Sequence, residues 1–169
     1  MRSIYKIVVC SLLTLSITSC EKDLLEKEQY QKEIYLIGAY NRVWTTEVSY
    51  SNEEVKTYFT VSSSGTLALD RDVNVKMKIN EELVDIYNKK YWTVLNEDKY
   101  YKSLDTDLYS IPSLENTVIK HAEGISAEVP VLIKTASLKI DQSYVIPVEI
   151  ESTTGYPVST SGYKMLVLL

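Results

Sequence analysis

The stretch DVNVKMKIN, residues 72–80, alternates strictly between apolar and polar side chains. Its apolar members are Val73, Val75, Met77 and Ile79. Successive side chains on a β-strand point to opposite faces of the sheet, so the pattern predicts a strand with one face in a core and the other in water.

The same period of two recurs along much of the chain. Alternating runs occupy residues 44–50, 55–61, 129–133, 144–150 and 163–169. Turn-forming segments such as SSSG at 62–65, STTG at 152–155 and STSG at 159–162 separate them. Six or more such strands in one domain predict a mainly β fold, an antiparallel β-sandwich. Pro130 and Pro147 fall inside two runs, which predicts edges or bulges there.

Residues 80–91, NEELVDIYNKKY, break this alternation. One helical face carries their apolar residues, Leu83, Val84, Tyr87 and Tyr91. Asn80 suits the N-cap position, and the two glutamates after it favour the positive start of a helix. We therefore expect one short helix that connects strands across the sandwich. Residues 92–116 predict a long loop with brief strand or helical turns.

The N-terminal residues predict export from the cytoplasm and attachment to a membrane. Two cations precede an apolar run at 7–17, which is too short for a permanent membrane span of ~20 residues and fits a secretory signal peptide. Residues 17–20, ITSC, resemble the lipobox of bacterial lipoproteins, where Cys20 carries the lipid. We expect a signal peptide at 1–19 and a palmitate-type anchor on Cys20. The alternative is a secreted protein with an incidental cysteine.

The remaining chain divides into two parts. Residues 20–33 are charged and poor in β-forming residues, which predicts a tether, and 34–169 form the sandwich domain. Glu21-Lys22-Asp23 resembles the acidic signal that sends some Bacteroidetes lipoproteins to the outer cell surface; a solvated charge run is the alternative. The expected location is the outer membrane, lipid-anchored and exposed on the cell surface.

Composition argues against several chemistries. The net charge of −5 disfavours nucleic acid as a partner. The only histidine, His121, lies near a predicted strand end, so we expect a structural or solvated role rather than a catalytic base. Cys10 falls in the predicted signal peptide and Cys20 is used by lipid, which leaves no disulfide.

The acidic residues predict neither a metal site nor a catalytic pair. The aspartates of DRD at 70–72 and DTD at 105–107 could hold calcium, but neither segment has a glycine-centred loop, so we expect turn aspartates and no metal. Glycoside hydrolysis needs two facing carboxylates, and the 23 acids fall mostly on the tether, turns and polar strand faces. We expect no cofactor and no enzyme.

Aromatic residues supply the remaining candidate site. The expected carbohydrate-binding rings are Trp92, Tyr100, Tyr101 and Tyr109. Sugar rings stack their apolar C–H faces on exposed aromatic rings, and nearby polar groups accept hydroxyl bonds; the candidates for that role are Asn96, Asp98, Asp105 and Asp107. The alternative is that these rings cover the end of the sandwich or pack on the helix.

Several motifs together resemble one family. They are RDVNVKMKINEELVDIYNKKY at 71–91, SAEVPVLI at 126–133 and QSYVIPVEIESTTG at 142–155. The chain is similar over residues 34–169 to the domain of unknown function at the N-terminus of Bacteroidetes surface lipoproteins. The resemblance implies an immunoglobulin-like β-sandwich encoded near glycan-uptake systems. Relatives often continue into a lectin-like domain or a chitinase-type glycoside hydrolase, an activity we expect to be absent here.

Two functions follow as hypotheses. The first is a non-catalytic surface lipoprotein module that assists glycan capture in a polysaccharide-uptake system. The second is a structural spacer or a module that docks on a protein partner of an uptake complex, without a small ligand. The second predicts that the aromatic rings of residues 91–109 are buried.

Overall fold

The computed structural model describes residues 27–169. The predicted signal peptide, residues 1–19, and the predicted lipid-bearing Cys20 lie outside the described residues. Across the described range, no helix has the length and apolar character needed to cross a membrane.

Ten strands and one α-helix follow one another along the described chain. In order they are β1 (Ile34–Leu36), β2 (Val43–Thr45), β3 (Val55–Ser63), β4 (Val73–Ile79), α1 (Glu82–Tyr91), β5 (Lys102–Ser103), β6 (Tyr109–Ser110), β7 (Thr117–Ile119), β8 (Ser126–Ile133), β9 (Tyr144–Thr153) and β10 (Lys164–Leu168). Short 3-10 turns cover Ala39–Asn41, Val94–Lys99, Thr106–Leu108 and Thr135–Ser137. The prediction of a mainly β fold with one short helix is confirmed.

The strands form two sheets. The smaller sheet has the antiparallel order β1-β3-β8-β6. The larger has the order β2-β10-β9-β4-β7, and β5 also pairs with β9. Two short strands, β2 beside β10 and β5 beside β9, run parallel to their neighbours, and the other pairs are antiparallel.

The main core fills the space between the sheets. Its largest fully buried side chain is Phe59 of β3, and Val73, Val75 and Met77 of β4 are at most 1% exposed. The polar residues between them on β4 face water. The alternation at 72–80 therefore predicts both the strand and its buried face correctly.

The run at 44–50 forms a strand only at its start. β2 ends at Thr45, and the Thr46 amide donates to the Leu168 carbonyl at 2.9 Å before the chain leaves the sheet. β2 and β3 belong to different sheets, so the residues between them must cross the sandwich. Farther along this crossing, the Ser51 amide donates to the Thr135 hydroxyl at 2.9 Å.

The two prolines occupy positions where no ladder donor is needed. Pro130 lies in β8 opposite Tyr58 of β3, and on its other side β6 reaches only as far as Leu132. Pro147 lies in β9, which is a central strand and not an edge, but β9 has an irregularity of the predicted kind farther along, where its register against β4 shifts between Lys76 and Met77. β4 pairs with β9 up to residue 148 and β5 with residues 144 and 145. The missing N–H of Pro147 therefore falls in the gap between two partner strands.

Helix α1 begins two residues after Asn80. The Glu82 amide donates a hydrogen bond to Asn80 Oδ1 at 3.2 Å, so the Asn80 side chain caps the start of the helix as predicted. Leu83 and Val84 are buried as expected, but Tyr91 is 47% exposed, so its assignment to the buried face is wrong. Asn88 is buried on that side instead.

Residues 27–33, part of the predicted tether, lie against the loop after β3. The Glu33 amide donates to the Ser64 hydroxyl at 2.9 Å. The Lys32 Nζ donates to the Leu67 carbonyl at 2.7 Å. The end of this segment therefore contacts the sandwich before β1 begins.

Candidate functional site

Helix α1 lies on the outer face of the larger sheet and has a groove on each side. Leu83 and Val84 pack against Val145 of β9 and Leu166 of β10, forming a second, smaller core. This packing fixes the helix on the sheet, so the walls of both grooves are held by buried apolar contacts.

The first groove, which we name the tyrosine groove, has a volume of about 400 Å³. It lies between α1, the loop from β1 to β2, and the turn that leads into β10. Its main side chains are those of Tyr40, Arg42, Ile86, Tyr87, Tyr163 and Lys164, and Thr160 and Ser161 add hydroxyl groups. Small-molecule sites usually have volumes of about 300–1,000 Å³, so this groove has the size of a ligand site.

The loop from Gly38 to Arg42 presents Tyr40 to solvent. Gly38 has φ +88° and Arg42 has φ +65°, the only positive φ of a non-glycine residue between residues 27 and 169. The Arg42 carbonyl accepts the Leu166 amide at 2.8 Å, which ties the loop to β10. Tyr40 is 92% exposed at its tip. A tightly wound, hydrogen-bonded loop thus holds an aromatic ring in water.

Trp44 packs directly beneath this loop. A Cβ atom at Gly38 would lie 2.6 Å from Cε3 of Trp44, so only glycine fits. The Trp44 ring is half-buried, and its Nε1 is enclosed without a hydrogen-bond partner. Its ring is therefore a fluorescent reporter placed next to the tyrosine groove.

The second groove, which we name the acidic groove, has a volume of about 630 Å³. It lies between α1 and residues 97–103. Its lining includes four carboxylates and two of the predicted rings, namely Glu81, Glu82, Asp85, Glu97, Tyr100 and Tyr101. Glu81 accepts a hydrogen bond from Ser103 across the groove.

Tyr101 connects the two grooves. Its ring stacks on that of Tyr87 with centroids 5.3 Å apart and an interplanar angle of 16°. The buried Asn88 holds the backbone of Tyr101 by two hydrogen bonds, 3.0 Å from the Tyr101 amide to Oδ1 and 2.9 Å from Nδ2 to its carbonyl. Burial, and next the neighbouring Tyr101, raises the pKa of Tyr87.

The other two predicted rings lie elsewhere. Trp92 is half-buried at the end of α1, its Nε1 enclosed without a partner, and Lys99 Nζ lies 5.8 Å from its ring centroid. Tyr109 belongs to β6 of the smaller sheet and packs against the main core, where burial raises its pKa. Of the four predicted rings, only Tyr100 and Tyr101 share a groove.

The polar residues predicted to accept sugar hydroxyls are engaged in local turns or exposed. Asn96 donates to the Thr93 hydroxyl at 3.0 Å. The Asp105 carbonyl accepts the Leu108 amide at 2.9 Å at the start of a 3-10 turn. Asp98 and Asp107 are exposed.

The DRD segment and His121 form surface ion pairs. Arg71 makes two hydrogen bonds to the Asp70 carboxylate, at 2.9 and 3.0 Å, which with a bond from Tyr156 hold the pKa of Asp70 well below its usual range. His121 Nδ1 lies 2.7 Å from Asp72 Oδ1, and this contact lowers the pKa of Asp72. Residues 27–169 contain no group of three or more potential metal ligands.

Sequence reasoning missed Tyr40 and placed Tyr163 only among strand residues. Both tyrosines come within two residues of a turn glycine, Gly38 and Gly162. A ring that follows a glycine turn is carried on a loop at the end of a sheet, where it can face solvent. That spacing is the signal that could have found them.

The fold and the two grooves define this protein as a two-sheet β-domain with a concave, tyrosine-lined surface on one side of its helix. A family described as an N-terminal domain matches residues 30–157. The chain belongs to this family. The resemblance drawn from residues 71–91, 126–133 and 142–155 is confirmed.

Three solved structures share the fold. A candidate carbohydrate-binding protein from Bacteroides ovatus matches with a TM-score of 0.61 and 18% identity over 80% of this chain. EndoBT-3987 of Bacteroides thetaiotaomicron, solved with a Man5GlcNAc product, gives 0.57 and 17% over 80%. An auxiliary nutrient-binding protein of Bacteroides thetaiotaomicron gives 0.57 and 13% over 77%.

This chain spans less than half of each of those proteins, 36%, 30% and 44% of their lengths in the same order. At such identities the likeness establishes the fold alone. Among curated proteins, no relative of this chain is found. Domains of this fold therefore form part of larger Bacteroides proteins, among them proteins described as carbohydrate-binding or nutrient-binding.

Proposed function

We propose that this protein is a non-catalytic, lipid-anchored module of the cell surface that binds glycan in the tyrosine groove and assists polysaccharide uptake. The observation that carries the proposal is Tyr40, 92% exposed on a loop held by buried and hydrogen-bonded residues beside a concave groove. The Tyr40 ring offers a flat apolar face to solvent, and a sugar ring offers a matching apolar C–H face that can stack on it.

The remaining lining suits a saccharide as well. Tyr87 and Tyr163 widen the aromatic surface, and the hydroxyls of Thr160 and Ser161 can hydrogen-bond to sugar hydroxyls. The family membership and the carbohydrate-binding or nutrient-binding relatives point the same way. The site that we propose is therefore one groove away from Tyr100 and Tyr101.

Calorimetric titration of the full-length chain in mild detergent against neutral and acidic oligosaccharides tests the proposal. We expect heat of binding together with a change in Trp44 fluorescence. Tyr40→Ala should weaken binding by roughly 5- to 150-fold, since one stacked ring is worth ~1–3 kcal/mol in a related stacking system. The matched control is Tyr58→Ala, a 49% exposed tyrosine on the smaller sheet, which should bind as the wild type does.

The anchor and the absence of catalysis belong to the same proposal. The lipobox-like residues 17–20 support lipidation, and Cys20→Ala should abolish palmitate labelling and release the protein from the outer-membrane fraction. His121 lines neither groove and is paired with Asp72, which supports a non-catalytic role. If the purified chain hydrolyses aryl glycosides and a Glu97→Gln variant does not, the proposal that the protein is non-catalytic is refuted.

A specific observation favours a second candidate, a docking module for a protein partner. Val94, Leu95 and Ile140 are apolar and 76%, 94% and 95% exposed. Scattered exposed apolar residues are common on monomers, so this observation is weaker than the groove. Cross-linking on intact cells decides: a partner trapped at Leu95 but not at Tyr40 favours docking.

A further inference from the structure

We infer that the tyrosine groove selects anionic saccharides, those that carry a carboxylate or a sulfate group. The inference rests on the proposed function and names the ligand class of the same site. Its starting point is charge: the groove is lined by two cations, Arg42 and Lys164, and by no acidic residue. The chain as a whole is acidic, with a net charge of −5.

The charge is divided across helix α1. On one side, the acidic groove carries four carboxylates and one lysine. On the other, the tyrosine groove carries only positive charge. An anion approaching α1 is therefore repelled from one groove and attracted to the other, which gives the surface an electrostatic preference between its two concave sites.

The two cations lack acidic partners. Within the described part of the chain, neither Arg42 nor Lys164 forms an ion pair. Glu149 lies opposite Lys164 in the β9–β10 register, but its carboxylate pairs with Lys78 at 3.7 Å and accepts a hydrogen bond from Asn80. Lys164 instead lies over the Tyr163 ring, with Nζ 4.9 Å from the centroid. Both cations are thus available to an incoming anion.

Arg42 occupies a backbone conformation that disfavours a side chain. Its φ of +65° is left-handed, which costs a non-glycine residue roughly 1–2 kcal/mol. Its carbonyl bonds to the Leu166 amide, so the strained residue is fixed two residues along β10 from Lys164. Strained backbone positions are enriched at functional sites, and a guanidinium is suited to a planar carboxylate or a sulfate.

The groove can therefore bind three features of an acidic sugar at once. Tyr40 offers a ring face, Thr160 and Ser161 offer hydroxyls, and the two cations offer charge. A neutral sugar would use only the first two. The affinity difference between an acidic oligosaccharide and its neutral counterpart measures what the cations contribute.

The test uses the full-length chain in mild detergent and a matched pair of ligands, oligogalacturonate and the same oligosaccharide after reduction of its carboxyl groups. We expect the acidic form to bind about 10- to 100-fold more tightly, the range for a charge-assisted hydrogen bond, and its affinity to fall as salt is raised. A sulfated oligosaccharide distinguishes a sulfate site from a carboxylate site. Equal affinity for the acidic and reduced forms overturns the inference and leaves the proposed function standing.

Variants separate the charge from the fold. Arg42→Gly suits the left-handed backbone, so it should keep or raise the unfolding temperature while it lowers affinity for the acidic ligand about 10-fold or more. Lys164→Gln should act in the same direction, and Lys56→Gln, an exposed lysine of the smaller sheet, should have no effect. Unchanged acidic binding in Arg42→Gly, or equal binding of poly-glutamate, overturns the inference. No binding of any saccharide overturns both proposals.

Discussion

The rings of Tyr87 and Tyr101 stack with their centroids 5.3 Å apart, and each ring lines a different groove of the larger sheet. Tyr87 comes from helix α1 and lines the tyrosine groove, whereas Tyr101 precedes β5 and lines the acidic groove. The segment after the helix is therefore held to the helix by a ring contact as well as by the hydrogen bonds of Asn88. A substitution in this pair of rings should therefore alter the grooves on both sides of α1.

The stack predicts an energetic coupling between its two members. A double-mutant cycle with Tyr87→Leu and Tyr101→Leu should give a coupling of ~0.5–1.5 kcal/mol in the free energy of unfolding, the usual value for an aromatic pair. Urea titration followed by circular dichroism measures it. The same cycle with Tyr87→Leu and Tyr58→Leu should give additive effects, since Tyr58 lies on the other sheet. Additivity in the first cycle would contradict the contact.

Asn88 predicts a larger loss from a single change. Asn88→Ala removes both hydrogen bonds to the Tyr101 backbone and leaves its amide and carbonyl without these partners. We expect a loss of roughly 1–3 kcal/mol in the free energy of unfolding. Asn96→Ala, which removes one bond to a neighbouring threonine, should cost well under half as much. Equal losses of unfolding free energy in the two variants would show that the hydrogen bonds from Asn88 to the Tyr101 backbone contribute no special stability.

Gly38 predicts a defect that reaches the tyrosine groove. Gly38→Ala should lower the free energy of unfolding by more than the ~1–2 kcal/mol of a left-handed residue, because its Cβ would also meet Trp44 at 2.6 Å. Gly124→Ala is the matched control, since Gly124 also has positive φ but no atom within 4 Å of the added Cβ. Thermal unfolding of the two variants should rank Gly38→Ala as the less stable, with shifted Trp44 emission.

The pair of Asp70 and Arg71 predicts a dependence of stability on pH. The hydrogen bonds of Arg71, followed by that of Tyr156, depress the pKa of Asp70 in the folded state. A depressed acid stabilises the fold above its unfolded pKa of about 3.9 and loses that contribution as pH falls through its folded pKa. The wild type should therefore exceed Asp70→Asn in stability at neutral pH.

That stability difference should shrink as the solution is acidified below about pH 4. Urea titrations at a series of pH values measure the difference directly. The control is Asp141→Asn, which removes an exposed aspartate with no ion pair in the described chain and should cost less stability at neutral pH than Asp70→Asn. If the stability difference between the wild type and Asp70→Asn instead grows as the pH is lowered, the pKa of Asp70 is not depressed in the folded state.

The sequence predicts most of the sheet because alternation is a local signal. Val73, Val75 and Met77 occupy the buried face that their spacing indicates. The run at 44–50 fails for a non-local reason, since the next strand lies in the opposite sheet and the chain must cross to it. Pro147 lies in a central strand instead of at an edge, because the gap between its partner strands β4 and β5 is a property of the assembled sheet.

The candidate site was harder to predict, because grooves are made by elements distant in sequence. Tyr100 and Tyr101 lie on a groove, as a cluster of rings in a loop suggests, but Trp92 and Tyr109 turn toward buried surroundings. Tyr40 and Tyr163 are separated by most of the chain. The parallel pairing of β2 with β10 and the Leu36 amide, which donates to the Gly162 carbonyl at 2.8 Å, bring their loops together, and neither contact has a local sequence signature.

The most direct test of the central claim maps ligand contact on individual tyrosines. The full-length chain, labelled on its tyrosine rings and held in detergent, is titrated with the acidic oligosaccharide and followed by nuclear magnetic resonance, with single Tyr→Phe variants assigning each signal. We predict saturable shifts for the rings of Tyr40 and Tyr163 and none for Tyr58. Shifts confined to Tyr100 and Tyr101, or no saturable shift of any ring, would contradict the account.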